Sequence, residues 1–120
     1  MTRRMERVNV LLRQEISRVL TSELKDPRLS TVVSVTHVES SADLKHATVF
    51  ISVLGDKDAK ELTLTALKSA AGFIHRRVRK QISLRSVPAL RFRLDESIEQ
   101  GAAMLAKIRD LAPDDAGEPV

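Results

Sequence analysis

Residues 58–83 read DAKELTLTALKSAAGFIHRRVRKQIS, and their apolar pattern predicts the centre of the fold. Apolar side chains recur there at steps of three and four, the spacing that puts them on one face of a helix. The face consists of Leu64, Leu67, Ala71, Ile74, Val78 and Ile82. Such a helix is expected to lie on a sheet and to bury this face in the core.

Gly72 interrupts this helical stretch. Glycine inside a helix costs about 1 kcal/mol relative to alanine, and on a continuous helix Gly72 would lie away from the apolar face, near Lys68 and Arg79. Phe73 would then stand in water, whereas a bend would bring its ring back under cover. The sequence therefore predicts two helical segments that meet at residues 70–72. A glycine beside cations also lets a phosphate approach the backbone, although a glycine that only bends the helix explains the pattern equally well.

The charge of the chain is strongly polarised, although the net charge is only +4. Residues 62–94 contain no Asp or Glu, whereas the charged residues after 94 are mostly acidic. The acid-free stretch carries eight cations, which are Lys68, Arg76, Arg77, Arg79, Lys80, Arg85, Arg91 and Arg93. This distribution predicts a basic surface that attracts a polyanion, with nucleic acid as the favoured partner. A solvated cationic face that serves solubility is the alternative.

Length and composition limit the class of protein. The 120 residues suffice for one domain, and 42% hydrophobic with 30% charged residues is typical of soluble globular proteins. No apolar run approaches the roughly 20 residues that span a bilayer, so no membrane association is expected. The start of the chain, MTRR, leads into a charged amphipathic stretch, and the sequence contains no cysteine. These features predict a cytoplasmic protein.

The remaining elements follow from periodicity and from turn residues. A helix is predicted over residues 2–25 and is expected to stop at Asp26-Pro27, because proline disfavours a helical residue before it. Strands are predicted at 31–39, 46–54 and 89–94, and a last helix, capped by Ser97, to about residue 111. The fold class is therefore α+β, with helices on one face of a three-stranded sheet. Residues 1–112 form the domain, and 113–120 are expected to be a disordered acidic tail.

Four short motifs occur in order along nearly the whole chain. They are Asp26-Pro27-Arg28, Ser41-x-Asp43-Leu44-x-x-Ala47, Ala70-x-Gly72-Phe73-Ile74 and Arg85-x-x-Pro88-x-Leu90-x-Phe92-x-x-Asp95-x-Ser97. Together they closely resemble the bacterial ribosome-binding factor A family. The resemblance implies a type II KH-like fold with the order α-β-β-α-kink-α-β plus a C-terminal helix. It also implies a maturation factor that binds the free small ribosomal subunit and its rRNA. Such factors promote late assembly and processing of the 5′ end of the precursor rRNA, most visibly in the cold.

The resemblance also directs attention to the kink. KH domains generally clamp single strands with a Gly-x-x-Gly loop between paired helices. The family has an Ala-x-Gly kink in that place, and so does this chain, which implies binding by charge and shape to folded rRNA. The candidate RNA-binding residues are Lys68, Ala70, Gly72, His75, Arg76, Arg77, Arg79, Lys80 and Arg85.

The sequence offers no evident catalytic or metal site, and no cofactor is expected. The three histidines have no cysteine to join, and no metal-ligand spacing, glycine-rich phosphate loop or Gly-x-Ser-x-Gly turn is present. Of the histidines, His37 is interpreted as a strand residue at a surface edge. Phe50 is assigned to a small cluster under the terminal helix.

Three functions stay open from the sequence. The favoured one is a non-enzymatic assembly factor, expected to be a monomer with no membrane or small-molecule partner. A general KH-like RNA-binding module and a small metal-dependent nuclease that trims the precursor are the alternatives. With three Phe and no Tyr or Trp, few rings are left on which bases could stack.

Overall fold

The computed structural model describes residues 2–29 and 33–111, apart from the side chain of Ile98. Its elements follow the predicted order, and the α+β class with a three-stranded sheet is confirmed. They are α1 (Arg3–Ser22), β1 (Val33–Ser40), β2 (His46–Val53), α2 (Lys57–Ser69), α3 (Ala71–Gln81), β3 (Ala89–Leu94) and α4 (Ser97–Leu111). The predicted tail at 113–120 and the predicted start of the first strand at 31–32 lie outside the described residues.

The first helix ends earlier than the sequence predicted, at Ser22 and not at residue 25. The N–H groups of Glu23 and Leu24 both donate to the carbonyl oxygen of Val19, which closes the last turn. The Asp26 carboxylate then accepts a bond of 2.9 Å from the N–H of Arg28 and forms a turn of its own. The helix therefore ends at Ser22, before the position at which Pro27 would disrupt it.

The sheet has the order β1-β2-β3, with β1 antiparallel and β3 parallel to the central β2. Along β2, buried and half-buried residues alternate, as expected for a strand with one face on the core. Helices α1, α2 and α3 cover the buried face. The buried side chains are drawn from all three helices and all three strands, and they include Leu12, Ile16, Val19, Val49, Ile51, Leu67, Ile74, Val78 and Phe92.

The break between α2 and α3 lies at Ala70, whose φ of −91° and ψ of 2° depart from helical values. The Ala70 N–H still bonds back into α2, while its carbonyl oxygen accepts from Ile74 and starts α3. Phe73 is half-buried against the core, as a bend predicts. The two predicted segments are thus confirmed, but the bend is at Ala70 and Gly72 lies in the first turn of α3.

Helix α4 differs from the prediction, because it does not pack on the sheet. Its described side chains are all exposed, and Met104, Leu105 and Ile108 are each more than half exposed. An ion pair of 2.7 Å joins Glu99 to Lys60 of α2. The interpretation of Phe50 as covered by the terminal helix is therefore wrong.

The start of α4 also corrects the assignment of its cap. Ser97 is the first helical residue, and its N–H donates to Asp95 Oδ1 at 2.9 Å, so the Asp95 carboxylate takes the role expected of Ser97. No helix among the described residues is long and apolar enough to cross a membrane.

Candidate nucleic-acid interface

A groove runs along the outer edge of β3, between this strand and the α2–α3 break. One part, of about 460 Å³, is lined by Thr48, Lys68, Ala71 and residues 90–93. The adjoining part, of about 340 Å³, is lined by Ala71, Gly72, His75, Arg76, Ala89 and Leu90. Because the two parts share Ala71 and Leu90, they form one continuous feature, which we name the β3-edge groove.

The β3-edge groove is cationic. Lys68, Arg76, Arg91 and Arg93 line it, and all four are exposed. No Asp or Glu is among its lining residues. Within the described part of the chain, none of these four cations forms an ion pair. Their charge is therefore available to a phosphate backbone.

The first turn of α3 adds backbone donors to this groove. A helix leaves its first N–H groups without partners inside the helix, and no side chain caps α3. This end of a helix also carries partial positive charge and binds anions. Gly72 is exposed there, and a Cβ added to it would lie 3.4 Å from Arg76 Nη1. Without a side chain at Gly72, an anion can approach the backbone and the Arg76 guanidinium together.

His75 has a structural contact within the groove. Its ring is half-buried, and Nε2 lies 2.9 Å from the carbonyl oxygen of Val87, to which it donates when the proton is on Nε2. Val87 belongs to the segment that leads into β3. The bond therefore links α3 to the segment before β3 at this end of the groove.

Arg77 lies on a different side of α3. Its Nε is 3.3 Å from Glu23 Oε1 at the end of α1, without the alignment of a hydrogen bond. Its guanidinium carbon lies 5.5 Å from the centroid of the Phe73 ring. Glu23 also pairs with Arg18 at 3.3 Å. Arg77 thus contacts α1 and not the groove.

The other predicted site residues lie at several different places in the structure. Ala70 forms the break and packs half-buried against the core, next to the groove. Arg79 and Lys80 are exposed near the end of α3 but do not line the groove. Arg85 lines a separate cleft of about 280 Å³, together with Arg4 from the first turn of α1. Of the nine predicted residues, the groove brings together Lys68, Gly72, His75 and Arg76.

Arg91 and Arg93 belong to the acid-free basic stretch but were not among the predicted site residues. The alternation of Leu90, Arg91, Phe92 and Arg93 predicted that the arginines face away from the core. The sequence did not predict that β3 lies at the edge of the sheet, where it runs beside the α2–α3 break.

The shifted pKa values lie outside the groove. The largest shift belongs to Asp95, where hydrogen bonds from the Ser97 and Thr36 side chains and from the Ser97 N–H lower the pKa to about 2. The pKa of Asp26 is lowered mainly by Arg28, and that of Asp43 mainly by the Ser41 hydroxyl. The described residues contain no cluster of three or more His, Asp and Glu side chains that could hold a metal ion.

Comparison with known proteins gives consistent matches over most of the chain. A family model described as ribosome-binding factor A matches residues 4–108. A curated relative from Acetivibrio thermocellus, named ribosome-binding factor A, is 42% identical over 114 residues, which are 95% of this chain and 93% of the relative.

Solved structures show the same fold. The crystal structure of ribosome-binding factor A from Thermus thermophilus matches with a TM-score of 0.67 and 22% identity, over 75% of this chain and 93% of that one. A homology model of the Thermus thermophilus protein, fitted into a cryo-EM map of its complex with the 30S subunit, also matches, with a TM-score of 0.61 and 22% identity, over 73% of this chain and 91% of that one.

Proposed function

Since the chain belongs to the ribosome-binding factor A family, we propose that it binds the free small ribosomal subunit and its rRNA through the β3-edge groove. In this role it promotes late assembly and processing of the 5′ end of the precursor rRNA in the cytoplasm. A homology model of the Thermus thermophilus relative has been fitted into a cryo-EM map of its complex with the 30S subunit, which supports the same partner for this chain.

One observation carries the proposal: unpaired cations, uncapped helix donors and an acid-free lining meet in one groove. Cations that neutralise phosphates release counterions from the RNA, so affinity falls steeply as salt rises. The N–H groups at the start of α3 add directed donors to this diffuse attraction. The combination fits the closely spaced phosphates of folded RNA.

The proposed role is binding and not catalysis. A protein that binds one conformation of an RNA more tightly than another shifts the population toward the bound form. Binding to the conformation in which the small subunit is nearly assembled would favour its completion. The 5′ end of the precursor would then be trimmed by a separate nuclease, with the requirement strongest in the cold.

Cosedimentation with ribosomal particles tests the proposal. Pure protein is mixed at about 0.15 M salt, where exposed charges are substantially screened, with immature small subunits, with large subunits, or with a structured RNA as long as the small-subunit rRNA. We expect at least about tenfold tighter binding to immature small subunits than to the other two, because charge alone gives no such preference. Equal binding to all three would instead identify a general RNA-binding module.

A second experiment tests whether the protein is instead a metal-dependent nuclease. Precursor rRNA is incubated with the pure protein and with Mg²⁺ or Mn²⁺, and its 5′ end is mapped. We expect the end to stay unchanged. Metal-dependent shortening that a matched preparation lacking the protein does not produce would overturn the non-enzymatic role.

A further inference from the structure

The face of the sheet opposite α1–α3 carries a pair of stacked rings. His37 of β1 and Phe50 of β2 are register partners, and their ring centroids lie 4.2 Å apart with planes within 10° of parallel. On β3, Arg93 is the register partner of Phe50. A row of His37, Phe50 and Arg93 therefore crosses this open face.

A β-bulge brings His37 onto the open face. The register between β1 and β2 shifts between Val35 and His37, and both Val35 and Val38 are buried. In a regular strand, His37 would share the buried face with Val35. The extra residue, Thr36, reverses the alternation, so that His37 is exposed opposite Phe50.

The polar edge of the His37 ring lies between two carboxylates. Its Nε2 lies 3.4 Å from Glu39 Oε1 and its Nδ1 lies 3.7 Å from Asp95 Oδ2. The same Asp95 oxygen accepts a bond of 2.6 Å from the Thr36 hydroxyl. Both carboxylates thus lie close to the ring nitrogens, while 47% of the His37 side chain stays exposed.

Two arginines lie beside the rings on the same face. Arg91 is the register partner of Thr48, in the row next to Arg93, and both arginines are exposed. Neither has an ion pair with any described residue, whereas the nearby acids Glu39 and Asp95 are both engaged around His37. A ring platform flanked by cations is the arrangement with which proteins bind single-stranded nucleic acid.

Sheet stability alone accounts for only part of this arrangement. Cross-strand ring pairs do stabilise sheets. They do not require the bulge that moves a histidine to the solvent side, nor arginines without partners in two adjacent rows. In the described structure, α4 leaves this face open, so the rings remain accessible.

We propose that this open face is a second RNA-binding surface, specific for single-stranded RNA. A base extends the His37–Phe50 stack, and the flanking phosphates contact Arg91 and Arg93. Because both arginines also line the β3-edge groove, a single-stranded segment next to folded RNA in the groove can cross β3 onto this face. The inference rests on RNA being the partner and adds a mode of recognition that the groove lacks.

Fluorescence anisotropy with a short labelled oligonucleotide of alternating adenosine and uridine tests the surface at about 0.15 M salt. Phe50→Leu retains apolar bulk but removes the ring, and we expect about fivefold weaker binding or more. The matched control is Phe73→Leu, which changes a half-buried ring on the helical side and should leave binding within about twofold. Thermal melts confirm that each variant is folded.

Ultraviolet crosslinking of the unaltered protein keeps the test decisive if Phe50→Leu fails to fold. Mass spectrometry should place the crosslinked nucleotide on peptides from β1 or β2. Crosslinks confined to α2 and α3, or equal losses from the two Phe variants, would overturn the inference. Failure of the oligonucleotide to bind, with small-subunit binding intact, would also overturn it while leaving the proposed function standing.

Discussion

Gly72 has a role other than the bend that its sequence context suggested. It lies inside α3 with no positive φ, and an added Cβ would meet only the flexible end of Arg76, at 3.4 Å. Replacing Gly72 by Ala should therefore raise the free energy of unfolding by about 0.5–1 kcal/mol, since alanine loses less backbone entropy. Urea denaturation measures this change.

The same variant also tests the contact with RNA. A methyl group on Gly72 would stand between the α3 backbone and a bound phosphate, so affinity for the small subunit should fall although stability rises. The Gly101→Ala variant in α4 is the matched control, because an added Cβ there meets nothing within 4 Å. Unchanged binding by Gly72→Ala would show that RNA does not approach this backbone.

Asp95 makes the stability of the fold depend on pH. Its pKa is lowered from an ordinary 3.8 to about 2, so folding favours the ionised form. The stability that this provides is complete above about pH 4 and is lost as pH falls through about 2. We expect the melting temperature of the unaltered protein to exceed that of Asp95→Asn at pH 5, and the gap to shrink near pH 2. A gap that stays constant would exclude this coupling.

At the scale of elements, local patterns predicted the helices and strands well because apolar periodicity reports a buried face. In the predicted apolar face, Leu67, Ile74 and Val78 are fully buried, whereas Leu64 and Ala71 are half-buried. Periodicity does not show which other helix or strand packs against an apolar face, or whether any does. The apolar residues of α4 were therefore assigned to a packed helix, and the bulge that reverses the alternation at Thr36 gave no signal.

Helix α4 should be dispensable for folding. Its described side chains are exposed, and the Lys60–Glu99 ion pair lies in its first turn, before Met104, Leu105 and Ile108. Ending the chain at Gln100 should lower the melting temperature by less than about 2 °C, because little buried surface is lost.

The matched control ends the chain at Leu94, which also removes the Asp95 bonds to Thr36 and Ser97. That truncation should cost several degrees, because each lost kcal/mol lowers the melting temperature of a domain this size by roughly 4–8 °C. A comparable loss from the chain that ends at Gln100 would mean that α4 packs on the body.

At the scale of the whole molecule, charge counting predicted the kind of partner but not the shape of the site. The acid-free stretch was recognised from composition alone. In the structure, its residues line most of the β3-edge groove, which contains no Asp or Glu. The direction of each cation depends on tertiary neighbours. Arg77 turns to Glu23 of α1, and Arg91 joins the groove only because β3 is an edge strand. Local sequence shows neither the contact between Arg77 and Glu23 nor the position of β3 at the edge of the sheet.

Affinity for the free small subunit, measured against salt concentration for two charge-matched double variants, tests whether RNA binds in the β3-edge groove. One carries Lys68→Glu and Arg76→Glu in the groove, and the other carries Arg3→Glu and Arg7→Glu on the exposed side of α1. Both change the net charge equally, and exposed charge changes usually alter stability by less than about 0.5 kcal/mol.

The groove variant should bind more than about tenfold more weakly, and its salt dependence should flatten by somewhat less than one logarithmic unit per lost phosphate contact. The α1 variant should lose far less affinity and keep nearly the original slope. Equal losses would mean that binding follows net charge alone, and a larger loss from the α1 pair would place the RNA-facing surface on α1, contradicting the assignment to the β3-edge groove.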